Sequence, residues 1–216
     1  MFYNILYKHR NKKIIIIFDG PPASGKTTRS IITAQKLRFL YLKYKALGLI
    51  NIISILLMQI APNLSKNPSY IKTKEDPLLL LKPQMLEKIR FITFLTELLY
   101  KVFQAIKLVM LSTICKGLVI DEFFTLRAAN YINVYLYKGL GKRQAELLIR
   151  IDLALLKALA KHNSLYYIYL DRDAEELKRL WRNRERDKEY SEKYLTLVRI
   201  VWKTYRDRID HITEFT

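Results

Sequence analysis

The sequence predicts a three-layer α/β fold around a central parallel sheet, and three observations carry that expectation. Lys13–Asp19 reads KIIIIFD, an unbroken β-branched run of the kind that fills a strand buried on both faces. Leu118–Asp121 and Leu165–Leu170 are further short apolar runs. Long segments of helical character lie between these runs, and strands alternating with long helices give a parallel sheet with helices packed over it.

Taken in order, Lys13–Asp19 is the first strand. Thr27 to about Lys45 holds no Gly or Pro and reads as one long helix, with Arg29, Lys36 and Lys43 on a solvated face. Ile50–Ile60 reads as a second strand, ended by Pro62. Asn63–Pro83, with Pro68, Pro77 and Pro83, reads as a loop. Pro83 to about Lys116 is expected to be helical and to close on Gly117 as a C-cap. Leu118–Asp121 is the third strand. Phe123 to about Lys161 is helical, with a break at Lys138–Gly141, and Leu165–Leu170 is the fourth strand. Asp173–Ile209 is helical again, with a charged stretch near Asn183–Tyr190. Neither repeats nor an interdomain linker appear, so residues 1–216 are expected to form one domain.

Half of the 216 residues are hydrophobic, which suits an ordinary globular core. The longest apolar run, Ile50–Ala61, is too short to span a bilayer. No secretory leader pattern precedes the first strand, and a single cysteine, Cys115, allows no internal disulfide. The expectation is therefore a cytoplasmic protein without a membrane partner. The formal charge is +18, and between Asp19 and Glu75 nine Lys or Arg residues occur with no carboxylate. Such a field favours anionic partners. Nucleotide substrates are the expected ones, and nucleic acid is left open, although no nucleic-acid-binding fingerprint appears. A homodimer is left open as well.

The chemistry is carried first by Gly20-Pro21-Pro22-Ala23-Ser24-Gly25-Lys26-Thr27, which fits G-x-x-x-x-G-K-[ST] between a strand and a helix. In such a phosphate loop the glycines let backbone N–H groups wrap phosphate oxygens, and the helix N-terminus adds its dipole. The expected ligand is ATP with Mg²⁺, held from Gly20 to Thr28. Lys26 would bridge the β- and γ-phosphates, and Thr27 would ligate Mg²⁺. Asp121 ends an apolar strand that opens on the same crevice in a parallel sheet, so it is expected to hold the metal beside Thr27. Glu122 follows it and admits two roles, a contact for the acceptor or a base that polarises water. Further on, Arg179, Arg182 and Arg186 share a helical face, with Arg184 nearby. Guanidiniums so grouped suit a transferring phosphoryl group.

Together these parts resemble the nucleoside monophosphate kinase superfamily, most closely the thymidylate kinases. The resemblance rests on the order of phosphate loop, strand ending in Asp121, and strand leading into YLDRDAEELKRLWRNRERDKEY, which looks like the family's LID, here about residues 179–192. DEFFTLRAANY resembles the family's helix start in Asp121, Phe123 and Ala129. The resemblance implies a P-loop NTPase fold with a helical LID, and phosphoryl transfer from ATP to a nucleotide or nucleoside. It also implies a catalytic role for Lys26 and for LID arginines, with Arg182 the first choice because the loop position that carries an arginine in some relatives is Ala23. Departures lie on the acceptor side. Glu122 stands where the family has an arginine, Pro22 where it has an aspartate, and Tyr131 where it often has a glutamine; only Pro62 remains of the Arg-Glu-Pro turn.

The function expected from the sequence is thus a P-loop kinase acting on a nucleotide or nucleoside. Arg90 and Arg127 are the candidate acceptor contacts, while Phe123, Phe124 and Tyr131 are expected to pack in the core. The rival is a motor-type or nucleic-acid-associated ATPase that uses Asp121 as metal ligand and Glu122 as water-activating base.

Overall fold

The computed structural model describes residues 12–66, 77–182 and 188–214. Among them, β1 (Lys13–Asp19), β2 (Leu40–Lys43), β3 (Gly117–Asp121) and β4 (Asn163–Tyr169) form one sheet in the order β2-β3-β1-β4. All three pairings are parallel, as the sequence predicts. Side chains alternate across a strand, and the isoleucine run of β1 therefore serves both faces. Ile14, Ile16 and Phe18 pack with Val119 beneath Ala34 of α1 (Lys26–Leu37). Ile15 and Ile17 join Leu118, Ile120 and Leu165 in a larger core on the other side.

That larger core is closed by α2 (Gly48–Ile60), α3 (Pro83–Lys88), α4 (Arg90–Ile114), α5 (Thr125–Leu136), α6 (Lys142–His162), α7 (Ala174–Arg182) and α8 (Lys188–Glu214). Helices thus cover both faces of the sheet. The break expected at Lys138–Gly141 separates α5 from α6, with Lys138 at φ 66° and Gly141 capping α6. Phe123, Phe124 and Tyr131 are fully buried, as expected. No helix among the described residues is long and apolar enough to cross a membrane.

Three expectations are corrected. Ile50–Ile60 is helical, not a strand. Its buried residues Ile50, Ser54 and Met58 recur every four positions on one face, and the Ser54 hydroxyl donates back to the Ile50 carbonyl at 2.8 Å. At this length, a strand was the weaker reading of an apolar run. The second strand lies instead in Leu40–Lys43, within the stretch read as one helix. The helix stops at Leu37 because Arg38 turns left-handed (φ 55°) and Phe39 N–H donates to the Ala34 carbonyl at 2.9 Å, a cap normally marked by glycine. Gly117 caps no helix. It starts β3, where a Cβ would stand 2.6 Å from the Phe39 ring, and α4 ends at Ile114.

Candidate functional site

The parallel register brings Phe18 opposite Asp121 and Asp19 opposite Tyr169, so β1, β3 and β4 present their carboxyl ends together. Asp19 ties these ends to the helix that follows β3. Its Oδ2 accepts the Phe124 and Thr125 amides at 2.9 and 2.6 Å, which satisfies donors at the start of α5, and it also accepts the Tyr167 hydroxyl. The sequence reading took Asp19 only as the end of a strand. Its capping role needs a partner 105 residues away, which no local pattern reveals.

From Asp19 the chain turns through Gly20–Gly25 into α1. Gly20 sits at φ 140° with the Leu170 carbonyl oxygen 2.1 Å from where a Cβ would be, so only glycine fits there. Gly25, at φ 88°, precedes the first helical residue, Lys26. Ala23 takes a positive φ (70°) without being glycine, and Glu122 does so at 66°. Strained backbone of this kind concentrates at functional sites.

The side chains converge as follows. Lys26, only 4% exposed, donates to the Pro21 carbonyl at 3.2 Å and lies 3.5 Å from Glu122 Oε1. Thr27 Oγ1 donates to Asp121 Oδ2 at 2.7 Å, and Tyr41 donates to the same oxygen at 3.2 Å. Lys43, expected on a solvated helix face, stands at the end of β2, 3.7 Å from Asp121 and 3.8 Å from Glu122. Burial, followed by the charge of Asp121, raises the Tyr41 phenol, which therefore stays protonated as a donor. Burial also raises the Glu122 carboxyl, opposed by Lys26 and Lys43.

Lys26, Thr27, Lys43 and Glu122 line a cavity of about 500 Å³ that continues past Lys45, Asn51, Asn130 and Tyr194, and the buried Asp121 lies behind Thr27. Two features fit a metal-bound polyphosphate. The buried Asp121 Oδ1 makes no hydrogen bond within the protein, and it sits beside a threonine hydroxyl, a pair of hard oxygen donors suited to Mg²⁺. The N-terminus of α1, with Lys26, offers amides and positive charge to an anion.

The other expected site residues divide. Pro22, Ala23, Thr28 and Glu122 line the cavity. Arg127 does not, and its assignment as an acceptor contact is corrected. It is buried between helices, 3.2 Å from Asp152, and donates to Tyr131 at 3.3 Å. Arg90 is exposed at the start of α4, away from the cavity lining. Arg179 is exposed on α7 and does not line the cavity either. Arg182 closes α7 with its side chain outside the described part, and Arg184 and Arg186 lie outside the described residues. The arginine that does reach the glycine loop is Arg172, unforeseen from the sequence. Its Nε donates to the Ser24 carbonyl at 3.2 Å, and it pairs with Glu176. The signal for it was its place two residues beyond a strand end, where ligands gather in a parallel sheet.

No protein-family model matches the chain, and no curated protein matches it.

Proposed function

We propose that the chain is a P-loop kinase, which binds Mg-ATP on Gly20–Thr28 and passes the γ-phosphoryl group to a nucleotide or nucleoside in the same cavity. The observation that carries this reading is the hydrogen bond from Thr27, which lines a cavity that extends well beyond the glycine loop, to the buried Asp121. A strand order with β1 between β3 and β4 sets the loop where the chain order reverses, in keeping with a P-loop NTPase fold. The segment from Arg179 to about residue 192 would serve as its LID.

Lys26 would leave Pro21 and Glu122 for the β- and γ-phosphate oxygens. Thr27 and Asp121 would hold Mg²⁺, which supplies charge neutralisation on the phosphates when bound. Arg172, already on the loop, adds a guanidinium near the donor phosphates. Lys43, beside Asp121 and Glu122, and Lys45 add cations to the cavity and favour an acceptor that itself carries a phosphate, a nucleoside monophosphate over a nucleoside. The thymine-reading position implied by the thymidylate kinase resemblance falls on Tyr131, which is sealed in the core, so thymine has no special claim.

Glu122 sustains the rival ATPase reading, since its carboxylate faces the same cavity beside Lys26. One experiment separates the two: γ-labelled ATP incubated with nucleoside monophosphates, nucleosides and 5′-hydroxyl oligonucleotides. The expected result is label transferred to a nucleoside monophosphate, with ADP formation dependent on that acceptor. Acceptor-free hydrolysis that DNA or RNA stimulates and Glu122→Gln abolishes would overturn the kinase reading.

A further inference from the structure

The carboxyl ends of the strands carry the glycine loop, and a second cavity lies at their amino ends. It is an open trough of about 830 Å³, bounded by the C-terminal turns of α6, those of α8 and Lys12, the residue before β1. That size falls within the roughly 300–1,000 Å³ of small-molecule sites. The seven residues of β1 rise between the two cavities, which sets them about 20 Å apart.

The floor of the trough follows from small side chains. Ala154 and Ala158 lie four apart on one face of α6 and end at Cβ, while the buried Leu156, Leu159 and Ile209 hold α6 and α8 in the core. Ile212 of α8 completes the apolar surface. The rim is cationic. Lys157 and Lys161 share the alanine face of α6, Arg208 and His211 line the trough from α8, and Lys12 lines it from the start of β1. Among the described residues no carboxylate lines it, and the nearby Asp210 pairs with Arg206 at 3.4 Å.

Cations in a last helical turn ordinarily answer the helix dipole, and Lys161 and His211 are so placed. Lys12, Lys157 and Arg208 are not. Arg208 is held over the Tyr205 ring, 5.7 Å from its centre. Among the described residues, Lys12, Lys157 and Lys161 form no ion pair, so like charges repel around an apolar floor. A bound anion relieves that repulsion, and an apolar chain behind it covers the alanines. No aromatic side chain among the described residues lines the trough, so it offers no platform on which nucleic-acid bases would stack. The lysine stems add apolar surface beside the floor while their ammonium groups stay at the rim.

We infer that this trough binds an anionic amphiphile, with an acyl or alkyl chain along Ala154, Ala158 and Ile212 and a carboxylate or phosphate head among Lys12, Lys157, Lys161 and Arg208. The inference does not depend on the kinase reading, since the trough and the glycine loop lie at opposite ends of the sheet. Calorimetric titration of the full chain with laurate and with dodecyl phosphate, each kept monomeric, tests it. One or both should bind, and the tighter of the two names the head. Dodecyltrimethylammonium, with the same chain and the opposite charge, should not bind, nor should inorganic phosphate alone. Two variants at exposed positions, each verified as folded by circular dichroism, place the ligand. Ala158→Trp fills the floor, and Lys157→Glu with Lys161→Glu reverses the α6 rim; each should weaken binding at least about tenfold. Saturating Mg-ATP should leave the affinity unchanged. Failure of both anions to bind, equal binding of the cationic amphiphile, or an affinity that survives both variants would overturn the inference. Flotation with phosphatidylserine vesicles, without binding of either monomeric probe, would assign the trough to a membrane surface instead.

Discussion

At the strand ends, Lys26, Lys43 and Glu122 line a cavity of about 500 Å³, with the buried Asp121 beside them. Between α4, α5 and α6, Glu97, Lys101, Arg127 and Asp152 meet beside a space of only about 120 Å³. Both clusters combine two cations with two carboxylates, yet their contacts differ. In the first, the cations stand 3.5–3.8 Å from the carboxylates. In the second, Lys101 and Arg127 close on Asp152 at 2.5 and 3.2 Å, while Lys101 also lies over the Tyr131 ring, 4.5 Å from its centre. Loose pairing beside open space leaves charge available to a ligand, whereas tight pairing without space spends it on joining helices. The same residue types are therefore left loosely paired beside open space in one place and locked between helices in the other, and geometry decides which.

The sharpest way to break this distinction is to remove one carboxylate from the closed cluster. Asp152→Ala strands Lys101 and Arg127 in the core, and should cost about 3–5 kcal/mol of stability in urea denaturation. A loss below about 1 kcal/mol would show that the closed cluster holds nothing together.

A smaller effect sharpens the contrast through pH. Burial, opposed by the attraction of Asp152, lowers the Lys101 ammonium to about 8. Below that pH the lysine is charged in both the folded and the unfolded chain, and the full burial penalty applies. Between about 8 and the ordinary lysine value, the unfolded chain keeps a proton that the folded chain has released, so rising pH favours the folded state. Relative to Lys101→Met, the wild type should gain on the order of 1 kcal/mol between pH 7.5 and 9.5. An unchanged difference across that range would mean that Lys101 stays fully ionised, held by Asp152 against burial.

The two regions also differ in how far the sequence reveals them. Gly20–Thr27 is contiguous, and its spacing follows from backbone geometry alone, so the loop and its place after a strand were legible. Asp121 was legible because an apolar strand ends on it. The closed cluster draws on residues 97, 101, 127 and 152 from three helices, and no spacing rule links the Glu97–Lys101 face of α4 to Arg127 or Asp152. That is why Arg127, read from its position after Asp121, was assigned to the cavity although it belongs to the core. The misplacement of β2 has a similar cause. Arg38 provides the left-handed cap that glycine usually marks, and an edge strand of four residues is fixed by pairing with β3 rather than by its own composition. Lys43 was lost as a site residue with it.

The central claim is that the open cluster, with the glycine loop, binds Mg-ATP. Calorimetric titration of the wild type and of Lys26→Ala, each verified as folded by circular dichroism, tests it most directly. The account predicts Mg-dependent ATP binding by the wild type, weakened by about 2–3 kcal/mol in the variant, roughly 30- to 150-fold, as expected for one charge-assisted contact to phosphate. Equal ATP affinity in the two folded proteins, or no binding by the wild type, would contradict it.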